Sequence, residues 1–110
     1  MSLVWVKSGV CNQESTIEAR RTDMTHVTVE LVTTCEHIQQ LSSELQILDI
    51  AHEMSCNLLD TQVYRTAARY VCRNSCVVPA AILKVLEVEA SIFQPGGSQI
   101  EFIDANHPNP

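Results

Sequence analysis

Apolar and polar residues alternate along the first third of the chain, and the spacing then changes to that of helices. Residues 4–7 read as a short first strand, which Ser8 and Gly9 break. In residues 16–21, Ile17 and Ala19 alternate with Glu18 and Arg20, a period of two that predicts a strand. Residues 22–24 form a turn. The clearest strand covers residues 25–33, with Val27, Val29 and Leu31 on one side and His26, Thr28 and Glu30 on the other. That pattern suits an antiparallel sheet covered on one face only.

Thr33 followed three residues later by Glu36 has the form of a capping box. Ile38, Leu41, Leu45 and Leu48 then follow at helical spacing, while residues 50–57 either continue that helix or turn. Asp60 is the expected N-cap of a second helix that carries Val63, Ala67, Tyr70 and Val71 on one face. A third helix is expected from Cys76 to about Phe93, with Pro79 tolerated in its first turn. Its buried stripe would be Ile82, Leu83, Leu86, Ala90 and Phe93. Pro95, Gly96 and Gly97 end it, and residues 98–103 read as a last strand that pairs back into the sheet. Runs of strands followed by runs of helices define an α+β class. The expected order is βββαααβ, with two layers: a mixed or antiparallel four-stranded sheet carrying three helices on one face. One domain over residues 1–110 is expected, with residues 104–110 as a flexible tail.

Composition narrows the function classes. The chain is 45% hydrophobic and only 5% aromatic, so its core is aliphatic. The net charge of −6 argues against nucleic acid, because an acidic surface repels a phosphate backbone. The one adjacent basic pair, Arg20 and Arg21, is soon followed by Asp23. The longest apolar stretch, residues 76–83, falls far short of the roughly 20 residues that span a bilayer. Without a membrane segment or an export signal, a cytoplasmic location is the default expectation. A protein partner or a homo-oligomer is compatible with this composition. No glycine-rich phosphate loop is present, because Gly96 and Gly97 follow a helix rather than precede one.

Candidate chemistry rests on the cysteines, which stand at positions 11, 35, 56, 72 and 76. An odd number without an export signal favours thiols or metal ligands over a disulfide framework. Cys35 and Cys76 fall at the starts of two predicted helices, where unpaired backbone N–H groups and the positive end of the helix dipole lower a thiol pKa. Cys11 sits in a loop beside a strand end, and Cys72 lies four residues before Cys76 across a helix break. Three readings compete. The first is a zinc or iron–sulfur site held by Cys11, Cys35, Cys72 and Cys76. The second is a thiol-based sulfur carrier or redox partner that uses Cys76. The third is an interaction subunit with buried, inert cysteines. No CxxC pair singles out the first. His37 is expected on the surface of the first helix, and His52 with Cys56 is expected to pack locally. His26 and Glu30 belong to a solvated sheet face, Glu87 is within reach of Lys84, and His107 lies in the tail.

Residues 8–11 (Ser-Gly-Val-Cys), residues 16–19 (Thr-Ile-Glu-Ala) and residues 76–87 together resemble a small uncharacterised family of anaerobic archaea and bacteria. In that family a Cys-Pro-Val-Pro helix start precedes an Ile-Leu-Lys and a Glu, as Cys76, Pro79, Ile82, Leu83, Lys84 and Glu87 do here. The likeness runs from Val4 to Phe102. It implies that Cys11, Cys35 and Cys76 belong to one recurring set and carries no established activity. Val77 stands where the family pattern has Pro, and Arg73 stands near where a His is expected; if that His is a ligand in the family, either Cys72 replaces it here or the site has three protein ligands. The Cys-x-x-Pro helix start also resembles that of TusA-like sulfur carriers, in a different order of elements.

Overall fold

A computed structural model describes residues 1–104. Among these residues, four strands form one antiparallel sheet in the order of the chain. They are β1 (Ser2–Lys7), β2 (Glu14–Arg21), β3 (His26–Thr33) and β4 (Ile47–Asp49). Four helices accompany them: α1 (Glu36–Glu44), α2 (Ile50–Ser55), α3 (Gln62–Tyr70) and α4 (Val78–Glu89). The α+β class and the antiparallel four-stranded sheet agree with the pattern of the sequence.

The register places every buried strand residue on one face. Val4 pairs with Ile17 and Ile17 with Leu31, while Ala19 pairs with Val29. Ile17, Ala19 and Val27 are fully buried. The helices cover this face: α4 packs on β1 and β2, α1 packs on β3, and α3 touches both helices. Ile38 and Leu41 from α1, Val63 and Ala67 from α3, and Val78, Ile82, Val85 and Leu86 from α4 complete an aliphatic core. Among the described residues, no layer covers the opposite face, which carries Leu3, Trp5, Glu18, Glu30 and Val32.

Local chemistry sets the connections. Between β1 and β2 the chain turns through residues 8–13, where Gly9 (φ 76°) and Asn12 (φ 59°) take up left-handed backbone. Asn12 N–H donates to the Gly9 carbonyl at 2.8 Å. Between β2 and β3 the Asp23 carboxylate accepts from the N–H groups of Thr25 (2.7 Å) and His26 (2.8 Å), closing the hairpin. Such an Asx turn offers the backbone a partner where the ladder ends.

Several expectations are corrected: the order is βββαβααα with four helices, not βββαααβ with three. The helix predicted through Leu48 ends at Glu44. Leu45 and Leu48 are buried as the spacing requires, but Ile47–Asp49 pairs with β3 instead, with Leu48 opposite Val27. Two residues three apart can both be buried from a helix or from a helix end plus a strand, so periodicity could not separate these cases. The third helix begins at Val78, so Cys76 precedes its N-cap Val77 rather than lying in its first turn, and it ends at Glu89. Ser91 takes a left-handed conformation (φ 62°), and Phe93 is 63% exposed rather than part of the buried stripe. The strand predicted over residues 98–103 does not form, and β4 is the fourth member of the sheet. The second helix begins one residue later than predicted, on Thr61, whose Oγ1 accepts from Tyr64 N–H at 3.1 Å. His107 and the remainder of the predicted tail after Asp104 lie outside the described residues.

Candidate functional site

Chain direction brings cysteines to one end of the sheet. β1 ends, β2 begins and β3 ends at the same edge of the molecule, because these strands are antiparallel neighbours. Cys11 lies in the β1–β2 connection at this edge, within a short 3-10 turn (Gly9–Cys11). Cys35 follows β3 directly and is the N-cap of α1. Hydrogen bonds tie the two connections together: Glu14 N–H donates to Thr34 Oγ1 and Thr34 N–H to the Glu14 carbonyl, each at 3.1 Å. Helix α4 packs against β1 and β2 with its last residue, Glu89, bonded to Ser2 and Arg21 at the far end of those strands. Its first turn therefore returns to the cysteine end, and with it come Cys76 and the 71–77 connection that carries Cys72.

Electrostatics at Cys76 report the same neighbourhood. Its thiol pKa is pushed up, first by burial, with Val78 N–H donating to the sulfur and acting in the opposite direction. Negative charge on Cys35, Cys11 and Cys72 pushes it up further. The helix-start position alone predicts a lowered pKa. Burial and the neighbouring thiols outweigh the single helix N–H, and that expectation is corrected.

Exposure differs across the four. Cys11 and Cys72 are exposed, whereas Cys35 and Cys76 are half-buried and pack against the core. Cys35 N–H is held by Thr33 Oγ1 at 3.1 Å, and the Cys35 carbonyl accepts from Gln39 N–H. Thr33 therefore caps the approach to α1, not its first turn. All five cysteines are free thiols. Among the described residues, no three Cys, His, Asp or Glu side chains are drawn into an arrangement that could hold a metal ion.

The other candidates separate from this group. Cys56 caps the C-terminus of α2, which follows β4 at the opposite end of the sheet. His37 is exposed on α1, as its position predicts. His52 Nε2 lies 3.1 Å from the Asp60 carbonyl and does not face Cys56 chemistry. His26 sits in the hairpin with Thr25 and Asp23, not with Glu30. A residue that periodicity did not single out is Glu53. Its carboxylate is almost fully buried and accepts from Gln62 N–H (2.8 Å) and Val63 N–H (3.0 Å), which makes it a distant cap for α3. No local pattern announces a cap nine residues ahead of its helix.

The fold and its cysteine-bearing end thus define an α+β protein with a thiol-rich edge. The chain belongs to a family of unknown function (DUF6951), whose model matches residues 2–102. No curated protein matches the chain. No solved structure matches it. The membership agrees with the resemblance to an uncharacterised family. No helix among the described residues is long and apolar enough to cross a membrane.

Proposed function

We propose that Cys11, Cys35, Cys72 and Cys76 form a thiolate metal centre that takes zinc or an iron–sulfur cluster. The observation that carries this reading is the meeting of three separate connections, each bearing cysteine, at one end of the sheet. Thiolates gathered at one end of the sheet repel one another, and a soft cation that drew them together would remove that repulsion by bonding to them. The N-terminus of α1 at Cys35 and that of α4 just beyond Cys76 add positive potential. The half-buried pair would form the inner side of the centre. Cys11 and Cys72, exposed at the surface, would close over the ion at sulfur–zinc distances near 2.3 Å.

The raised pKa of Cys76 weighs against the sulfur-carrier reading. A nucleophilic thiol needs thiolate character at working pH, which burial and like-charged neighbours oppose. A metal ion reverses that balance by replacing the proton.

The test is an optical spectrum with metal and sulfide analysis of the full chain purified without oxygen. Zinc near one per chain, or iron with sulfide and charge-transfer bands, supports the centre when Cys35→Ser or Cys76→Ser abolishes it and Cys56→Ser does not. Failure to take up zinc, cobalt(II) or iron with sulfide under those conditions overturns it. The metal-free outcome with one rapidly alkylated thiol at Cys76 would restore the sulfur-carrier reading.

A further inference from the structure

The two edges of the sheet are managed differently. At one edge, β4 has only three residues and offers little to a partner strand. At the other, β1 has six residues, Ser-Leu-Val-Trp-Val-Lys, paired on one side only among the described residues. It contains no proline, and its single charge is at the end. An open, apolar edge of this length presents a row of unpaired backbone groups that natural sheets cover or blunt.

The segment after α4 has the form of what would cover it. Residues 98–103 place Ile100 and Phe102 on one side of an extended chain, with Gln99 and Glu101 on the other. Ile100 is 81% exposed and Phe102 fully exposed. Among the described residues, residues 94–103 make no backbone hydrogen bond. The family match runs through residue 102, so this segment lies within the family's extent. Ser2 Oγ donates to Glu89, at the end of α4, at 2.6 Å, so the arm leaves beside its own β1, yet among the described residues it makes no backbone hydrogen bond to that strand and leaves both partners open to a second copy. Pro95, Gly96 and Gly97 then supply a hinge.

We propose that residues 98–103 pair, as a fifth strand, with the open edge of β1 in a second copy of this chain. Each copy carries a free six-residue edge and a free six-residue strand, and reciprocal exchange about a two-fold axis satisfies both without leaving an open end. Trp5 and Leu3, exposed on β1, would then adjoin apolar side chains of the arm. The interface runs along β1 and uses none of the cysteines.

Sedimentation and light scattering on the full chain, reduced and without oxygen so that thiols do not cross-link, test this. The expected mass is twice 12.2 kDa. Hydrogen exchange should show residues 98–103 slowed on the order of 100-fold or more relative to unstructured chain. Ile100→Pro, which removes a backbone donor from the strand, should give the single-chain mass with an unchanged circular-dichroism spectrum and no slowing. Phe102→Asp should weaken the dimer with the backbone intact. A single-chain mass with unprotected arm amides overturns the proposal. So does a single-chain mass with protected amides, which would place the arm on its own β1. A dimer that persists in both variants would place the interface elsewhere and overturn it as well.

Discussion

Asp23 shows how much of a turn one side chain can hold. Thr25 N–H and Thr25 Oγ1 donate to its carboxylate, as does His26 N–H, and they lower its pKa from 3.8 to about 2. A carboxyl held down in the folded chain binds its proton later than in the unfolded chain. Its contribution is therefore complete above about pH 4 and is lost as the pH falls toward 2. Asp23→Asn keeps an acceptor oxygen and removes the charge. Thermal unfolding should show the variant less stable at neutral pH, with the gap to the parent closing as the pH approaches 2. Glu53 makes a different case, because its two acceptors serve N–H groups at the buried start of α3. Glu53→Ala should cost about 2–3 kcal/mol by denaturant titration, because unmet buried donors carry their full desolvation penalty. Glu53→Gln, which keeps one acceptor, should cost less. The sequence made the Asp23 turn legible, since its partners are two and three residues away. It hid Glu53, whose partners are nine and ten residues away and are set by how α2 meets α3.

Elements were legible where one periodicity ran without competition. The alternation of β2 and β3 appears in the structure residue for residue, and Ile82 and Leu86 of α4 are fully buried as their spacing predicts. Ile82→Ala should therefore cost about 2–5 kcal/mol, checked by the same titration. The apolar pattern failed at element ends. β4 is three residues long, and its identity depends on pairing with residues 26–28 of β3, a contact across the sheet that no local spacing encodes. The end of α4 was hidden for a related reason. Leu86 and Ala90 continue the helical spacing, but the helix stops where Glu89 is engaged by Ser2, by Arg21 N–H and by the N-terminal amine at 3.4 Å. A carboxylate is unfavourable at a helix C-terminus, and these donors offset that cost. They also lower its pKa, the Ser2 bond most. The sign follows as for Asp23: the stabilisation is present above the ordinary carboxylate range and fades on acidification. Glu89→Gln should flatten the acid limb of the stability profile and loosen the start of β1, visible as faster amide exchange there.

At the scale of the whole molecule, α4 separates two regions. Its twelve residues span about 18 Å, with the thiol group at its first turn and the root of the arm at its last. The cysteine set was partly legible, because the helix starts and the strand end could be read from the chain. The arrangement that brings Cys11 to them depends on strand order and on the direction of α4, which periodicity does not supply. If metal binds at this end, it stabilises the folded state by mass action, by about 2.7 kcal/mol when the free ion is at 100 times its dissociation constant. For a chain near 100 residues that raises the unfolding temperature by about 10 °C or more. Zinc titrated into reduced protein should give this shift, Cys11→Ser and Cys72→Ser should each cut it, and Cys56→Ser should leave it whole. Cys11 and Cys72 are exposed, so their loss does not disturb the core, and a diminished shift in either variant reports ligation directly. Ile100→Pro should keep the full shift while changing the mass, because the arm departs from the opposite end of α4. A shift that vanished with the dimer would couple the two ends, and the cysteines would then have to be completed by the second copy.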